Sequence, residues 1–127
     1  MTLRAWLEQC PLIAILRGVH QIEVEVLGDV LVENGFRVIE VPLNSPDPFA
    51  SIATLSKRLG ARALVGAGTV MTPAQVGQVA AAGGKLIVMP HADAHVVRAA
   101  KGLGQIALPG SPRQPKRLPC CKQARTV

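Results

Sequence analysis

Aromatic side chains are nearly absent from this chain of 127 residues, which has one tryptophan, two phenylalanines and no tyrosine. It therefore lacks the rings on which unpaired bases stack, and we do not expect a surface that binds single-stranded nucleic acid. It also has no apolar run of the ~18 residues that a membrane-spanning helix needs, and its first residues show no signal-peptide cleavage pattern. We expect a cytoplasmic protein that does not enter a membrane.

Cysteine is scarce as well, and the three cysteines form neither an even disulfide framework nor a metal-ligand spacing. One short motif invites a metal interpretation, because His91, Asp93 and His95 form H-x-D-x-H. Its two histidines share a helix face, but a third ligand and a glutamate base are missing. We interpret the motif as a solvated first helical turn with Asp93 favourable at the helix N-terminus. The sequence predicts neither a metal nor a cofactor.

Acidic residues are missing from residues 111–127, which carry five of the 14 basic residues. The rest of the chain has nine basic and eight acidic residues, so the net charge of +6 comes mainly from this tail. The tail also holds three of the ten prolines and two of the three cysteines. We therefore divide the chain into a nearly neutral body, residues 1–110, and a basic tail, residues 111–127, that we expect to be disordered.

The body alternates short apolar runs, typical of buried strands, with longer amphipathic stretches typical of helices. Thr72 and Pro73 suit the N-cap and first turn of a helix, and glycines such as Gly35 and Gly83 stand where helices should end. Successive strands begin about every 25 residues, which predicts a parallel βα repeat. The strands are predicted at 12–16, 37–42, 62–66, 86–90 and 105–109, and the helices at 22–34, 48–59, 73–82 and 92–101.

Parallel βα repeats form either an open doubly wound sheet or an eightfold barrel. The residues after the first strand, Arg17 to His20, lack the glycine pattern of a dinucleotide-binding loop. Polar residues instead follow several strands, which is where a barrel has its active site. Because a whole barrel takes at least ~200 residues, we predict an α/β fold that is a partial TIM (β/α)8 barrel, with about the first four and a half βα units.

Five segments of the body, in their order along the chain, resemble sequences of the KDPG/KHG aldolase family, and the resemblance extends over residues 8–110. Its most specific part is E-V-P-L-N-S-P, followed about twenty residues later by G-A-G-T-V. The strings ILRG and PLNSP are similar to the galactonate branch of the family. The matching segments are residues 11–18, 35–46, 65–70, 85–90 and 107–110.

The resemblance implies a lyase of carbohydrate-acid catabolism, commonly a homotrimer, that works without a cofactor. Such a class I aldolase cleaves a 6-phosphorylated 2-keto-3-deoxy sugar acid into pyruvate and glyceraldehyde 3-phosphate. A neutral lysine attacks the keto group to form a Schiff base, and a second group moves protons. Cationic and hydroxyl groups hold the substrate carboxylate.

Five residues of this chain are candidates for that site. Glu40 is the candidate acid and base, because an ionised carboxylate in the apolar run V-I-E-V-P-L is costly; an ion pair with an arginine is the alternative. By resemblance, Arg17 and Thr69 bind the substrate carboxylate, although a surface ion pair and a turn would also explain them. Pro90 either shapes the pocket wall or merely ends a strand. Asn44 stands close to where the KDPG branch has an arginine, a role that Arg17 would assume here.

The Schiff-base lysine of the family ends the sixth strand, and this chain has no corresponding segment. Its own lysines lie elsewhere: Lys57 and Lys101 near helix ends, Lys85 at the start of the fourth strand, and Lys116 and Lys122 in the tail. The phosphate site that barrels form after strands seven and eight is absent too. We therefore expect the chain alone to be inactive, and its half barrel to be marginally stable with exposed apolar faces.

Two other functions compete with this one. The basic tail could bind nucleic acid or an acidic partner without sequence specificity, with the half barrel as a scaffold. Steeply salt-dependent DNA binding that disappears on truncation at Gly110 would indicate that function. Another phosphosugar barrel enzyme, such as an epimerase, is less favoured because the strand ends carry no metal-ligand or paired-acid pattern.

The unusual composition of the tail has an explanation in the genetic code. Codons for residues 111–125 can be chosen so that the reading frame one base earlier encodes V-A-T-P-T-E-A-F-A-V-L-Q-A-G-A. That string has the form of a Thr-capped amphipathic helix and resembles the continuation of the family sequence. We interpret the tail as out-of-frame sequence that follows a one-nucleotide deletion near codon 110, whether genuine or a sequencing error.

Nucleotide sequencing through codon 110 and the few hundred bases beyond it tests this interpretation. We expect the shifted frame to continue open and to encode the remaining strands and helices of the barrel, including the lysine. A tail-coding sequence whose codons do not produce this helical string in the shifted frame would contradict the interpretation.

Overall fold

The computed structural model describes residues 2–109, in which five strands alternate with helices. The strands are β1 (Ile13–Ile15), β2 (Val38–Pro42), β3 (Leu64–Gly68), β4 (Leu86–Met89) and β5 (Ile106–Pro109). The helices are α1 (Leu3–Gln9), α2 (Gln21–Glu33), α3 (Pro48–Leu59), α4 (Pro73–Ala81) and α5 (Ala94–Gly102), with a 3-10 turn at Gly60–Arg62.

The five strands form one parallel sheet in the order β1-β2-β3-β4-β5. A doubly wound sheet reverses its strand order at the ligand-binding crevice, whereas a barrel adds each strand beside the preceding one. The sequential order therefore confirms the predicted partial (β/α)8 barrel. The division into a body of residues 1–110 and a tail stays a prediction, because residues 110–127 lie outside the described part of the chain.

Each strand contributes side chains to two faces, because successive residues point to opposite sides of the sheet. The outer face, with residues such as Ile39 and Ile87, packs against the helices in the larger apolar core. The inner face holds a second cluster built from Ile13, Val38, Leu64 and Leu86. Helix α1 contacts this second cluster through its apolar residues Leu3, Trp6 and Leu7. The first helix thus covers the inner face near the amino ends of the strands, an arrangement that the sequence analysis did not anticipate.

Strand β3 begins two residues later than predicted, at Leu64 instead of residue 62. The reason is the 3-10 turn Gly60–Arg62, which takes up the residues after α3. β3 also ends later than predicted, at Gly68, and its Gly66 pairs with Glu40 of β2. The expected helix start is confirmed, since the Thr72 side chain accepts a hydrogen bond from the Gln75 backbone N–H.

Both edges of the sheet are open in the described residues, because β1 and β5 each have a neighbour on one side only. The side chains of β5 are at most partly buried. On α2, three residues spaced by four, Ile22, Val26 and Val30, are 88%, 66% and 46% exposed. Such an apolar stripe is unusual on a free surface and agrees with a barrel whose ring of helices is incomplete. None of the described helices has the length and apolar character needed to cross a membrane.

Gly66 makes the close packing of β3 on β4 testable. A Cβ at this position would overlap the backbone carbonyl of Leu86, which cannot move aside as a flexible side chain would. We expect Gly66→Ala to lower the free energy of unfolding in urea by about 2–3 kcal/mol. The control is Gly77→Ala in α4, where a Cβ meets no other atom and the change should stabilise the helix by up to ~1 kcal/mol. Equal unfolding free energies for the two variants would contradict this packing.

Candidate active site

Glu40 occupies the middle of the inner face, paired with Ile15 of β1 on one side and Gly66 of β3 on the other. Its side chain is 5% exposed, and its Oε2 atom has no hydrogen-bond partner within residues 2–109. A Cβ on Gly68 would overlap both carboxyl oxygens, so the glycine leaves the space that the carboxyl group occupies in this position. The chain thus buries a carboxyl group with an unused acceptor in the inside of the half barrel.

Burial raises the pKa of Glu40 to about 7, because an ionised carboxylate loses its hydration on the apolar inner face. The positive charge of Arg17 acts in the opposite direction and keeps the pKa from rising further. A group that titrates near neutral pH can both donate and accept a proton in one reaction cycle. Its environment therefore gives Glu40 the protonation behaviour that a general acid and base needs.

Arg17 lies two residues after the end of β1 and is exposed at the carboxyl end of the strand. It lies in a tight turn closed by a hydrogen bond of 3.4 Å from the Val19 N–H to the Leu16 carbonyl. Gly18, the next residue of the turn, has a φ of 76°, which glycine adopts without strain. The guanidinium group is therefore close enough to influence the Glu40 carboxyl and still accessible to a solute.

Thr69 has a φ of 59°, in the left-handed region that β-branched residues rarely adopt. Hydrogen bonds on both sides hold this backbone: the Gly68 carbonyl accepts from the Leu43 N–H at 2.9 Å, and the Val70 N–H donates to the Val88 carbonyl at 3.1 Å. Strained residues of this kind concentrate at functional sites. The half-buried Thr69 follows β3 directly, beside the end of the strand that carries Glu40.

The remaining two candidates also lie beyond carboxyl ends of strands, Asn44 after β2 and Pro90 after β4, and both are exposed. Four of the five residues singled out from the sequence therefore lie beyond carboxyl ends of strands, and Glu40 lies in the middle of β2. Within the described residues an electrostatic interaction is found between Arg17 and Glu40. No hydrogen bond in this part of the chain joins Asn44 or Pro90 to the other three candidates.

The lysines of the described region lie away from this end of the sheet. Lys85 precedes β4 at its amino end, where its N–H donates to the Val65 carbonyl. Lys57 and Lys101 are exposed in the last turns of α3 and α5. Lys116 and Lys122, like the rest of the predicted tail, lie outside the described residues. Between residues 2 and 109, therefore, the carboxyl ends of the strands present no amine.

The H-x-D-x-H motif has a structural role, since Asp93 is the N-cap of α5 and its carboxylate accepts a hydrogen bond of 2.8 Å from the His95 N–H. His91 and His95 are both exposed. Across residues 2–109, no three histidine, cysteine, aspartate or glutamate side chains are grouped as metal ligands would be.

One residue of this region was missed by the sequence analysis. Ser45, in the loop after β2, is 6% exposed, and its hydroxyl accepts a hydrogen bond of 3.0 Å from the Gly18 N–H. It thereby connects the turn that contains Arg17 to the loop after the strand that contains Glu40. The available signal was its place in PLNSP, but a serine next to a proline reads as an ordinary turn residue.

Comparison with known proteins identifies this arrangement. The family model described as "KDPG and KHG aldolase" matches residues 3–115. The chain belongs to the KDPG/KHG aldolase family. It is 51% identical over 100 residues to the "Probable 2-dehydro-3-deoxy-6-phosphogalactonate aldolase" of Rhizobium meliloti (strain 1021), covering 79% of this chain and 47% of that protein. It is 42% identical over 105 residues to the "2-dehydro-3-deoxy-6-phosphogalactonate aldolase" of Escherichia coli (strain K12), covering 83% of this chain and 51% of that protein.

Solved structures of aldolases match this family member as well. The structure described as "Native KDPGal structure" superposes with a TM-score of 0.73 at 42% identity, over 78% of this chain and 48% of the other. The KDPG aldolase of Legionella pneumophila, "with pyruvate captured at low pH as a covalent carbinolamine intermediate", gives a TM-score of 0.77 at 27% identity, over 86% and 52% of the two chains. The chain spans about half the length of the curated relatives it matches.

The raised pKa of Glu40 makes stability depend on pH. The group titrates near 4.5 when unfolded and near 7 in the fold, so the folded state binds its proton more tightly between those values. Its contribution to stability is therefore fully present below about pH 4.5 and is lost as the pH rises to 7, by up to about 3 kcal/mol.

Urea unfolding at several pH values between 4.5 and 8 measures this contribution. We expect Glu40→Gln, which cannot ionise, to remove that part of the decline in unfolding free energy with pH. Glu33→Gln, at an exposed position on α2, is the matched control and should leave the decline unchanged. If the unfolding free energies of the parent chain and of Glu40→Gln declined in parallel with pH, the fold would not raise the pKa of Glu40, which would contradict its burial as a neutral group.

Proposed function

We propose that this chain supplies the amino-terminal half of a class I aldolase site that cleaves 2-dehydro-3-deoxy-6-phosphogalactonate into pyruvate and glyceraldehyde 3-phosphate. The observation that carries the proposal is the buried carboxyl of Glu40, which titrates near pH 7 on the inner face of a half barrel. The names of the two curated relatives support this substrate, since both are described as aldolases of that sugar acid.

In this proposal the proton transfers are assigned to Glu40. Protonated Glu40 donates to the hydroxyl of the carbinolamine, which leaves as water when the Schiff base forms. The resulting carboxylate then accepts the proton of the substrate hydroxyl next to the carbon–carbon bond that breaks, while the iminium takes up the electron pair. Its pKa near 7 suits both steps, because neither protonation state is costly to reach at neutral pH.

The substrate carboxylate is assigned to Arg17 and Thr69. A guanidinium group binds a carboxylate through paired hydrogen bonds, and Arg17 is exposed at the carboxyl end of β1. The left-handed backbone of Thr69 fixes its hydroxyl at the end of β3. Pro90 and Asn44 are assigned to the rim of the pocket. This division leaves Glu40 deeper in the barrel, where the keto carbon and its neighbours would lie.

The nucleophilic lysine and the phosphate site are assigned to a carboxyl-terminal half like that of the relatives. A carbinolamine is the adduct of a carbonyl group and an amine, and the Legionella pneumophila aldolase captures pyruvate in that form. The described part of this chain has no lysine at the catalytic end that could supply such an amine. We therefore propose that these 127 residues alone have negligible aldolase activity. The intact enzyme is proposed to be a cytoplasmic homotrimer that uses no cofactor.

The alternative function, a scaffold whose basic tail binds nucleic acid or an acidic partner, has no support in the comparisons, which match aldolases. Its basic residues lie outside the described part of the chain.

A chimeric protein tests the proposed function. Residues 2–109 of this chain would be fused to the carboxyl-terminal half of the Escherichia coli relative, which is 42% identical over the matched region. We expect pyruvate and borohydride to give a stoichiometric covalent adduct on the chimera, detected by mass, and none on the parent chain. In the chimera, Glu40→Gln should lower kcat by about 10²–10⁴-fold.

The control for that substitution is again Glu33→Gln, which should retain full activity. A parent chain that forms a stoichiometric pyruvate adduct would contradict the proposal. So would a folded, active chimera whose rate is unaffected by Glu40→Gln.

A further inference from the structure

The hydroxyl of Ser45 makes an unusual connection for a loop residue. It is buried, with 6% of the residue exposed, and it accepts a hydrogen bond from the Gly18 N–H, 27 residues away in the chain. The Ser45 backbone is fixed separately, by a 3.0 Å hydrogen bond from its N–H to the Pro42 carbonyl. The serine is therefore held firmly to the end of β2, and its hydroxyl is directed at the turn after β1.

The hydrogen bond is made to the one peptide group that decides the shape of that turn. The turn runs from Leu16 to Val19, and its third residue, Gly18, has a φ of 76°. A positive φ at this position is typical of a type II turn, which differs from type I in the orientation of the central peptide. That central peptide joins Arg17 to Gly18, and its N–H is the donor to Ser45.

The same hydrogen bond anchors the turn that carries Arg17, because the N–H that donates belongs to the residue directly after Arg17. If this hydrogen bond were lost, the turn after β1 would be free to shift relative to the loop after β2, and the Arg17 backbone would shift with it. Buried polar groups that lose their partner are costly, and the hydroxyl of Ser45 has its partner in the present orientation of the turn. The serine thus favours one of the two turn types that glycine would otherwise permit.

We propose that Ser45 is a positioning residue: its hydroxyl anchors the turn that carries Arg17 to the loop after β2, and so keeps the Arg17 charge near Glu40 and available to the substrate carboxylate. The role of Arg17 toward substrate rests on the proposed function. The effect of Ser45 on Glu40 through Arg17 is independent of that function, because it can be measured in this chain without turnover. A failure of one is therefore distinguishable from a failure of the other.

The test is a titration of Glu40 by NMR in the full chain labelled with ¹³C at the glutamate carboxyl groups. Arg17 lowers the pKa of Glu40 from the value that burial alone would give, so Arg17→Met should raise it above about 7. We expect Ser45→Ala to raise the Glu40 pKa in the same direction and by a similar amount. Adding Ser45→Ala to Arg17→Met should then produce no further increase.

Two variants separate positioning from a general loss of packing. Ser45→Thr retains the hydroxyl and should keep the pKa of the parent chain. Ser51→Ala also removes a serine hydroxyl that is fully buried, but one without a hydrogen-bond partner in residues 2–109, and it should leave the Glu40 pKa unchanged. If Ser45→Ala does not fold, Ser45→Cys, with a weaker acceptor of similar shape, should give a smaller shift of the same sign.

Three results would overturn the proposal. The first is an unchanged Glu40 pKa in Ser45→Ala, or in Ser45→Cys where alanine does not fold. The second is an equal shift in Ser51→Ala, which would indicate a non-specific effect of the missing hydroxyl. The third is a Glu40 pKa that rises as much when Ser45→Ala is added to Arg17→Met as when it is made in the parent chain. The serine would then act on Glu40 without the arginine.

Discussion

Burial of one carboxyl group on the inner face of the sheet is the constraint on which the rest of this structure depends. Desolvation of Glu40 makes its charged form costly and brings its pKa to about 7. In this position the carboxyl occupies the space beside Gly68 of β3, where a Cβ would overlap its oxygens. The two glycines of VGAGTV thus have different packing reasons: Gly68 leaves space for the carboxyl of Glu40, and Gly66 lets β3 pack closely on the backbone of Leu86.

Much of the fold could be predicted from the sequence because it depends on local chemistry. Buried parallel strands are apolar on both faces, and caps such as Thr72 hydrogen-bond within their own helix. Glu40 was detectable for the same reason, as a charge in an otherwise apolar run. The strand order followed from the spacing of the repeat and from the missing dinucleotide-binding loop.

The features that were missed depend on contacts between distant parts of the chain. Helix α1 is short, and its role is visible only where Trp6 meets the cluster at the amino ends of the strands. The hydrogen bond between Ser45 and Gly18 joins two loops that are adjacent only because β1 pairs with β2. The left-handed backbone of Thr69 is imposed by hydrogen bonds to neighbouring loops and strands, which a single segment of sequence does not encode.

The half barrel also separates the chemistry of the site into two parts. In the proposed function, the described residues would provide a proton-transfer group, Glu40 on β2, and a cation for a carboxylate, Arg17 after β1. The same proposal assigns the amine to a carboxyl-terminal half, whose strands would pair with the open edges of the sheet at β1 and β5.

A crystal structure of the barrel completed with the relative's carboxyl-terminal half, after reduction of its pyruvate adduct, tests the central claim most directly. The account predicts a Glu40 carboxyl oxygen within hydrogen-bond distance of the substituents on the former keto carbon. It also predicts that the pyruvate carboxylate lies between Arg17 and Thr69. An adduct that leaves Glu40 without contact, covered by apolar side chains, would contradict the account.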